Sequence, residues 1–196
     1  MTVIGVVGGI ASGKSRVCRE LAARGAKWIN ADEIAHEVLK RESVKEQIRG
    51  YWGSAVFRDG EIDRGCLAEA VFAGGDAASA EKLNAIVHPL IVEEIRSRLA
   101  SYQSQKTGLI LIDAPLLFET GLDSLCEQIL FVDADFSTRA KRAALRGWSR
   151  EELLRRQARQ IPLEEKKARA DLFIDNNGSF RQTAAQLDCL FPPQNT

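Results

Sequence analysis

Gly8-Gly9-Ile10-Ala11-Ser12-Gly13-Lys14-Ser15 is the stretch that decides how this chain is read. It matches G-x-x-x-x-G-K-[ST] at every fixed position, with the apolar run Val3–Val7 before it and a helix pattern over Ser15–Arg24 after it. Glycines in such a turn let the backbone curl until successive N–H groups point inward at phosphate oxygens. The N-terminus of the following helix adds its partial positive charge. Lys14 then reaches the β- and γ-phosphates, and the Ser15 hydroxyl is placed to ligate Mg²⁺. The expectation is a nucleoside triphosphate site built on Gly8, Gly9, Ala11, Ser12, Gly13, Lys14 and Ser15.

Outward from that loop, four more short apolar segments follow: Ala26–Ile29, Leu109–Ile112, Ile129–Val132 and Leu172–Ile174. None alternates cleanly and each is bounded by Gly, Asp or Asn, as expected of strands buried on both faces of a parallel sheet. Helix patterns lie between them, which predicts a doubly wound α/β sheet. Ser149-Arg150-Glu151-Glu152 has capping-box form and opens a predicted helix to about Gln160. Pro162 suits the start of another turn, and Ser179 suits the cap of a last helix to about Leu190. Two stretches interrupt the alternation. Residues 33–105 read as a helical insert with a polar turn at Arg58-Asp59-Gly60. Residues 137–169 carry eleven Lys or Arg against four Glu and read either as a solvated helix pair or as a lid that closes over the triphosphate. The core is then about 1–32, 106–136 and 170–190 of a single domain, and Phe191–Thr196 is expected to be a frayed end.

Two aspartates end strands at the edge where open α/β sheets bind ligands. Asp113 closes Leu-Ile-Leu-Ile-Asp and reads as the acid that orients Mg²⁺, with a plain turn residue as the alternative. Asp32 closes Asn30-Ala31-Asp32. Spacing alone leaves it open between a carboxylate that orients an acceptor hydroxyl and a cap on the helix that follows.

The 196 residues carry 27 Lys plus Arg against 27 Asp plus Glu, with 45% hydrophobic residues. A neutral balance argues against an acidic disordered tail and against a uniformly basic nucleic-acid binder. No apolar run is long enough to span a bilayer and no signal-peptide pattern opens the chain. The four cysteines, Cys18, Cys66, Cys126 and Cys189, stand far apart in no metal-ligand spacing. A reduced cytoplasmic protein is expected, with no membrane and no nucleic-acid partner and no metal beyond what a substrate brings. A monomer is expected, and oligomers are left open. A GTPase would carry N-K-x-D and an ABC-type ATPase L-S-G-G-Q; neither string is present. Compact core, insert and basic segment together favour a small-molecule kinase. A kinase for a nucleoside monophosphate or small alcohol, and a nucleotide-dependent switch, stay as alternatives.

The order of several strings resembles the dephospho-CoA kinase family over roughly residues 3–190. The glycine loop is similar to its G-G-I-x-S-G-K-S, and Asn30-Ala31-Asp32 stands where the family usually has D-A-D. Leu83-Asn84-Ala85-Ile86-Val87-His88-Pro89 resembles its H-P motif, and Asp113-Ala114-Pro115-Leu116-Leu117-Phe118-Glu119 its D-x-P-L-L-[FY]-E. Pro162-Leu163-Glu164-Glu165-Lys166 and Ala170-Asp171-Leu172-Phe173-Ile174-Asp175-Asn176 resemble its closing segments.

The resemblance implies a P-loop nucleotide-kinase fold: a five-stranded parallel sheet of order 2-3-1-4-5, with a helical CoA-binding insert and a lid. It implies ATP and Mg²⁺, and transfer of phosphate to the 3′-hydroxyl of dephospho-CoA, the last step of coenzyme A synthesis. It implies Lys14, Asp32 and Arg142 as catalytic residues, with Asp32 the general base, and Ser15 and Asp113 as metal ligands. Arg16, Arg146 and Asn176 would join the nucleotide site, with Arg156 a further lid arginine and Asn176 near adenine. His88, Leu117, Phe118 and Glu119, with Asp32, would meet the acceptor. Arginine suits the lid because its planar fork binds phosphate oxygens in pairs. Three residues depart from the family pattern: Asn30 for Asp, Ala11 for Gly, and Arg16 for the usual Thr. A Cβ at position 11 implies a backbone that tolerates one. The R-[DN]-G-like turn is one residue short at Arg146-Gly147.

Overall fold

The five apolar segments become the strands β1 (Thr2–Gly8), β2 (Lys27–Asn30), β5 (Leu109–Asp113), β6 (Gln128–Asp133) and β7 (Leu172–Asp175) of one parallel sheet. The computed structural model describes residues 1–72, 77–105 and 107–192. The sheet runs β2-β5-β1-β6-β7, which is 2-3-1-4-5 when only its own strands are counted. β1, central and apolar, is buried over Val3–Gly8, since parallel strands need cover on both faces. Ile4, Val6, Leu111, Leu130, Val132 and Ile174 form one core with Val17, Cys18 and Leu21 of helix α1 (Lys14–Ala23) and Leu187 of the last helix. Register places Val6 and Asn30 on either side of Asp113, and Gly8 opposite Val132. The glycine loop, Asp113 and the end of β2 at Asn30 therefore share one carboxyl edge.

The chain divides into two compact units, Met1–Asn30 with Leu99–Thr196, and Ala31–Arg98. The first holds the sheet, α1, and the helices α6 (Phe136–Ala144), α7 (Arg150–Gln157), α8 (Leu163–Ala168) and α9 (Phe180–Leu190). Pro162 precedes α8 directly, and Ser179 precedes α9 in a capping box with Gln182, whose Oε1 accepts the Ser179 N–H at 2.8 Å. At α7 only half of the expected box forms. Ser149 Oγ accepts the Glu152 N–H at 3.2 Å, but the Glu152 carboxylate turns to Arg155 and Arg156. This helix ends at Gln157, short of Gln160.

The second unit is helical, as α2 (Ala31–Val38), α3 (Glu42–Trp52), α4 (Arg64–Phe72) and the start of α5 (Ala77–Ser104). Its one hairpin among the described residues pairs β3 (Phe57–Arg58) with β4 (Glu61–Ile62) around Asp59-Gly60, the polar turn expected from the sequence. Both turn residues have positive φ, 51° and 81°, the primed turn that suits a two-residue hairpin. Ile34, Val38, Val44, Ile48, Val56, Leu67 and Ile95 are buried here. Lys45, 6% exposed, joins α3 to the hairpin through Glu61 at 2.6 Å and pairs within its own helix with Glu42 at 2.9 Å. Of the expected frayed end at 191–196, residues 193–196 lie outside the described residues.

Candidate active site

The glycine loop connects β1 to α1 and is held from outside by side chains. The Ser12 carbonyl accepts from Arg142 Nη1 at 2.8 Å and from Asn176 Nδ2 at 2.6 Å. Arg142 Nη2 also donates to the Asn176 carbonyl at 2.7 Å, and Thr183 donates to Asn176 Oδ1 at 2.9 Å. Asn176 is 5% exposed, so its amide is committed to bracing the loop. Gly13 shows why that position has no side chain: its φ is 100°, and a Cβ would lie 2.2 Å from Asn176 Nδ2. The Ser12 hydroxyl is buried with no hydrogen-bond partner among the described residues. An unpaired buried hydroxyl in a glycine loop that leads into a helix N-terminus fits a phosphate oxygen.

Ala11 has a φ of 62°, in the left-handed region. The expectation of a backbone that tolerates a Cβ therefore needs correcting, because an L-residue costs about 1 kcal/mol there. The methyl group is buried with Ala143 and Leu153, against Ile10, Phe136 and Trp148, and that contact offsets part of the strain.

Asp113, 4% exposed, ends β5 with its Oδ2 3.4 Å from Ser15 Oγ. Two hard oxygen donors facing one another at the mouth of a phosphate loop fit a Mg²⁺ ion carried in with a triphosphate. Beneath them Cys18 is fully buried, and burial together with the Asp113 carboxylate pushes its thiol well up. It is a neutral core thiol, as its place in a helix pattern suggested, and all four cysteines are free.

Beyond Asp113, the expected acceptor residues separate by burial. Leu117 is 1% exposed and packs over Gly5 of β1, so its side chain belongs to the core and not to a pocket wall. Phe118 is half-buried under the Arg169 guanidinium, 3.9 Å from its ring centroid. Glu119 is exposed and its Oε1 accepts the Ile161 N–H at 2.8 Å.

The basic segment brings arginines to the loop. Burial, and then the positive charges of Arg16 and Arg146, lower the pKa of Arg142. Three guanidinium groups gathered in this way repel one another, and an anion among them removes the repulsion. Arg16 also lies 3.9 Å over the Phe180 ring. Arg156 instead engages Glu152 at 2.6 Å and the Trp148 ring at 4.2 Å. Arg139, one of the eleven basic residues of 137–169, is 4% exposed. It donates to the Ala134 carbonyl at 3.1 Å and to Gln157 at 2.7 Å. Its stem also fills the space a Gly9 side chain would need, 2.8 Å from the ideal Cβ. Nothing in the sequence separated Arg139 from its neighbours, nor marked Thr183 as the support of Asn176.

Asp32 and His88 belong to the helical unit. Asp32 is exposed and is the second residue of α2, inside the first turn and not at an N-cap. There its charge is favoured by the helix dipole. It lies two residues past Asn30, the register partner of Asp113. His88 is half-buried on α5 just before Pro89, and burial lowers its pKa.

Fold and loop together define a P-loop kinase. The chain belongs to the dephospho-CoA kinase family, whose model matches residues 2–182. A dephospho-CoA kinase of Latilactobacillus sakei is 38% identical over 94% of this chain and 91% of its own. The solved dephospho-CoA kinase of Campylobacter jejuni superposes with a TM-score of 0.72 at 26% identity, covering 96% of this chain and 94% of that one. A crystal structure from Thermus thermophilus gives a TM-score of 0.81 at 32% identity, over 100% of this chain and 98% of its own.

Proposed function

We propose that this kinase transfers the γ-phosphate of ATP to the 3′-hydroxyl of dephospho-CoA, giving coenzyme A and ADP. The observation that carries the phosphoryl-transfer chemistry is the Ser15–Asp113 pair at the mouth of a loop braced by Arg142 and Asn176. Family membership supports the acceptor.

Loop amides and Lys14 hold the triphosphate, with Arg142, Arg146 and Arg16 adding positive charge around it. Ser15 and Asp113 are the residues that would hold Mg²⁺, which when bound neutralises charge on the phosphates. Asp32 takes the proton of the 3′-hydroxyl as its oxygen forms a bond to the γ-phosphorus. The bond from that phosphorus to the β,γ-bridging oxygen breaks, and ADP leaves. Most of the acceleration comes from positioning and from charge placed where it develops. Phe118, Glu119 and His88 are proposed to meet the acceptor. The core thiol Cys18 takes no part. No helix among the described residues is long and apolar enough to cross a membrane. Small-molecule substrates and a cytoplasmic site of action complete this reading.

Product analysis tests the assignment. After incubation with MgATP and dephospho-CoA, mass spectrometry is expected to show one added phosphate. A 3′-nucleotidase should remove it. A phosphate resistant to that enzyme, or none added, would defeat the assignment.

A further inference from the structure

Lys166 is a buried ionisable group that the phosphoryl-transfer account leaves without a task. It is 1% exposed on α8, and its Nζ donates to the Pro115 carbonyl at 3.1 Å and to Gln160 Oε1 at 2.8 Å. Burial pushes its pKa down to about 8, a shift that Glu119 opposes and Lys14 adds to. Desolvating an ammonium group costs more than two hydrogen bonds to neutral oxygens return, and an apolar side chain of similar length would fill the space with less strain. Position 166 therefore carries a cost that packing alone does not explain.

The same two stretches are joined at three further points. Glu119 accepts the Ile161 N–H at 2.8 Å, and Arg169 lies over Phe118 at 3.9 Å and binds Asp123 at 2.9 Å. Residues 160–169 are thus stitched along residues 115–123. Lys166 is the innermost stitch and the one nearest Asp113, because Pro115 follows that acid by two residues.

We propose that Lys166 is a positioning residue for phosphoryl transfer: by holding the Pro115 carbonyl it fixes the turn that leaves β5, and through that turn the Asp113 carboxylate beside Ser15. The role rests on the kinase reading above and deepens it. Loss of this hold moves Asp113 while the glycine loop, braced separately by Arg142 and Asn176, keeps its shape.

The test uses the full chain with Lys166→Met, Lys166→Arg and Gln160→Met. Rates with MgATP and dephospho-CoA are measured well below the melting temperature of each variant, beside calorimetric titration with ADP. Lys166→Met is expected to lower kcat about tenfold or more, the scale of a misplaced catalytic group, with ADP affinity within about twofold of the parent. Lys166→Arg should recover most of the loss. Gln160→Met, a milder change should Lys166→Met fail to fold, should lower kcat about threefold, consistent with loosening the same ammonium. A purely structural lysine would lower the melting temperature and leave kcat of the folded enzyme unchanged. Unchanged kcat in Lys166→Met, or in Gln160→Met if the former does not fold, overturns the proposal. An inactive parent enzyme would instead overturn the kinase reading itself.

Discussion

Lys14 and Asp32 carry different parts of the chemistry, and their variants should fail differently. Lys14→Ala removes the positive charge that faces the transferred phosphoryl group and should abolish measurable turnover, with a thermal melt close to the parent. Asp32→Asn keeps size and hydrogen bonding but accepts no proton. It should lower kcat about 100-fold or more, with ATP affinity nearly unchanged. Near-normal kcat in that variant would remove Asp32 as the base. Lys166 gives a pH signature. Its folded-state pKa is about 8, whereas an unfolded lysine titrates near 10.4. Between these values the unfolded chain holds more protons, so this group makes stability rise with pH across that window. In urea melts at about pH 7.5 and 9.5, the difference between parent and Lys166→Met should change with pH in that direction. A difference independent of pH would contradict the burial of a charged amine. The motif residues were legible because phosphate chemistry demands particular side chains at fixed spacing. Arg139 and Thr183 were not, and Lys166 showed only as the end of a family string with no task attached, because their tasks come from contacts with Gly9, Asn176 and Pro115 that only the folded chain makes.

Elements were legible where burial dictates an apolar run, as in β1, β5 and β6, which are buried along most of their length, while the edge strands β2 and β7 each bury a single residue. They were less so where side chains choose among partners. Glu152 could close a capping box with Ser149, yet two arginines one turn further on draw its carboxylate away. The β3–β4 hairpin has strands of two residues each, too short for any periodicity to mark, and only its turn showed in the sequence. Leu117 read as a pocket residue because it sits inside a functional string; its packing over Gly5 puts it in the core. The contrast between the two caps is measurable. Ser149→Ala removes the cap bond to the Glu152 N–H at the start of α7 and should cost about 1 kcal/mol in a denaturant midpoint, as Ser caps commonly do. The parent value in that variant would mean that the bond to Glu152 adds nothing in solution.

At the scale of the whole molecule, a chain with no net charge concentrates its surplus of basic residues in 137–169. Helix α6 from that segment delivers Arg142 to the glycine loop, where an anionic ligand resolves the repulsion with Arg16 and Arg146. The sheet order and the edge that carries the site followed from the sequence through strand patterns and family resemblance together. The family resemblance alone named Arg142 and Arg146 among the eleven basic residues of that segment; helix phase and packing, which composition and spacing do not reveal, bring Arg142 to the Ser12 carbonyl. Transfer to one particular acceptor separates this enzyme from other P-loop kinases, and ADP release reports on it. Purified protein with MgATP should release ADP rapidly only when dephospho-CoA is added, with nucleoside monophosphates giving no stimulation. Release driven by a nucleoside monophosphate, or no stimulation by any acceptor, would contradict the account.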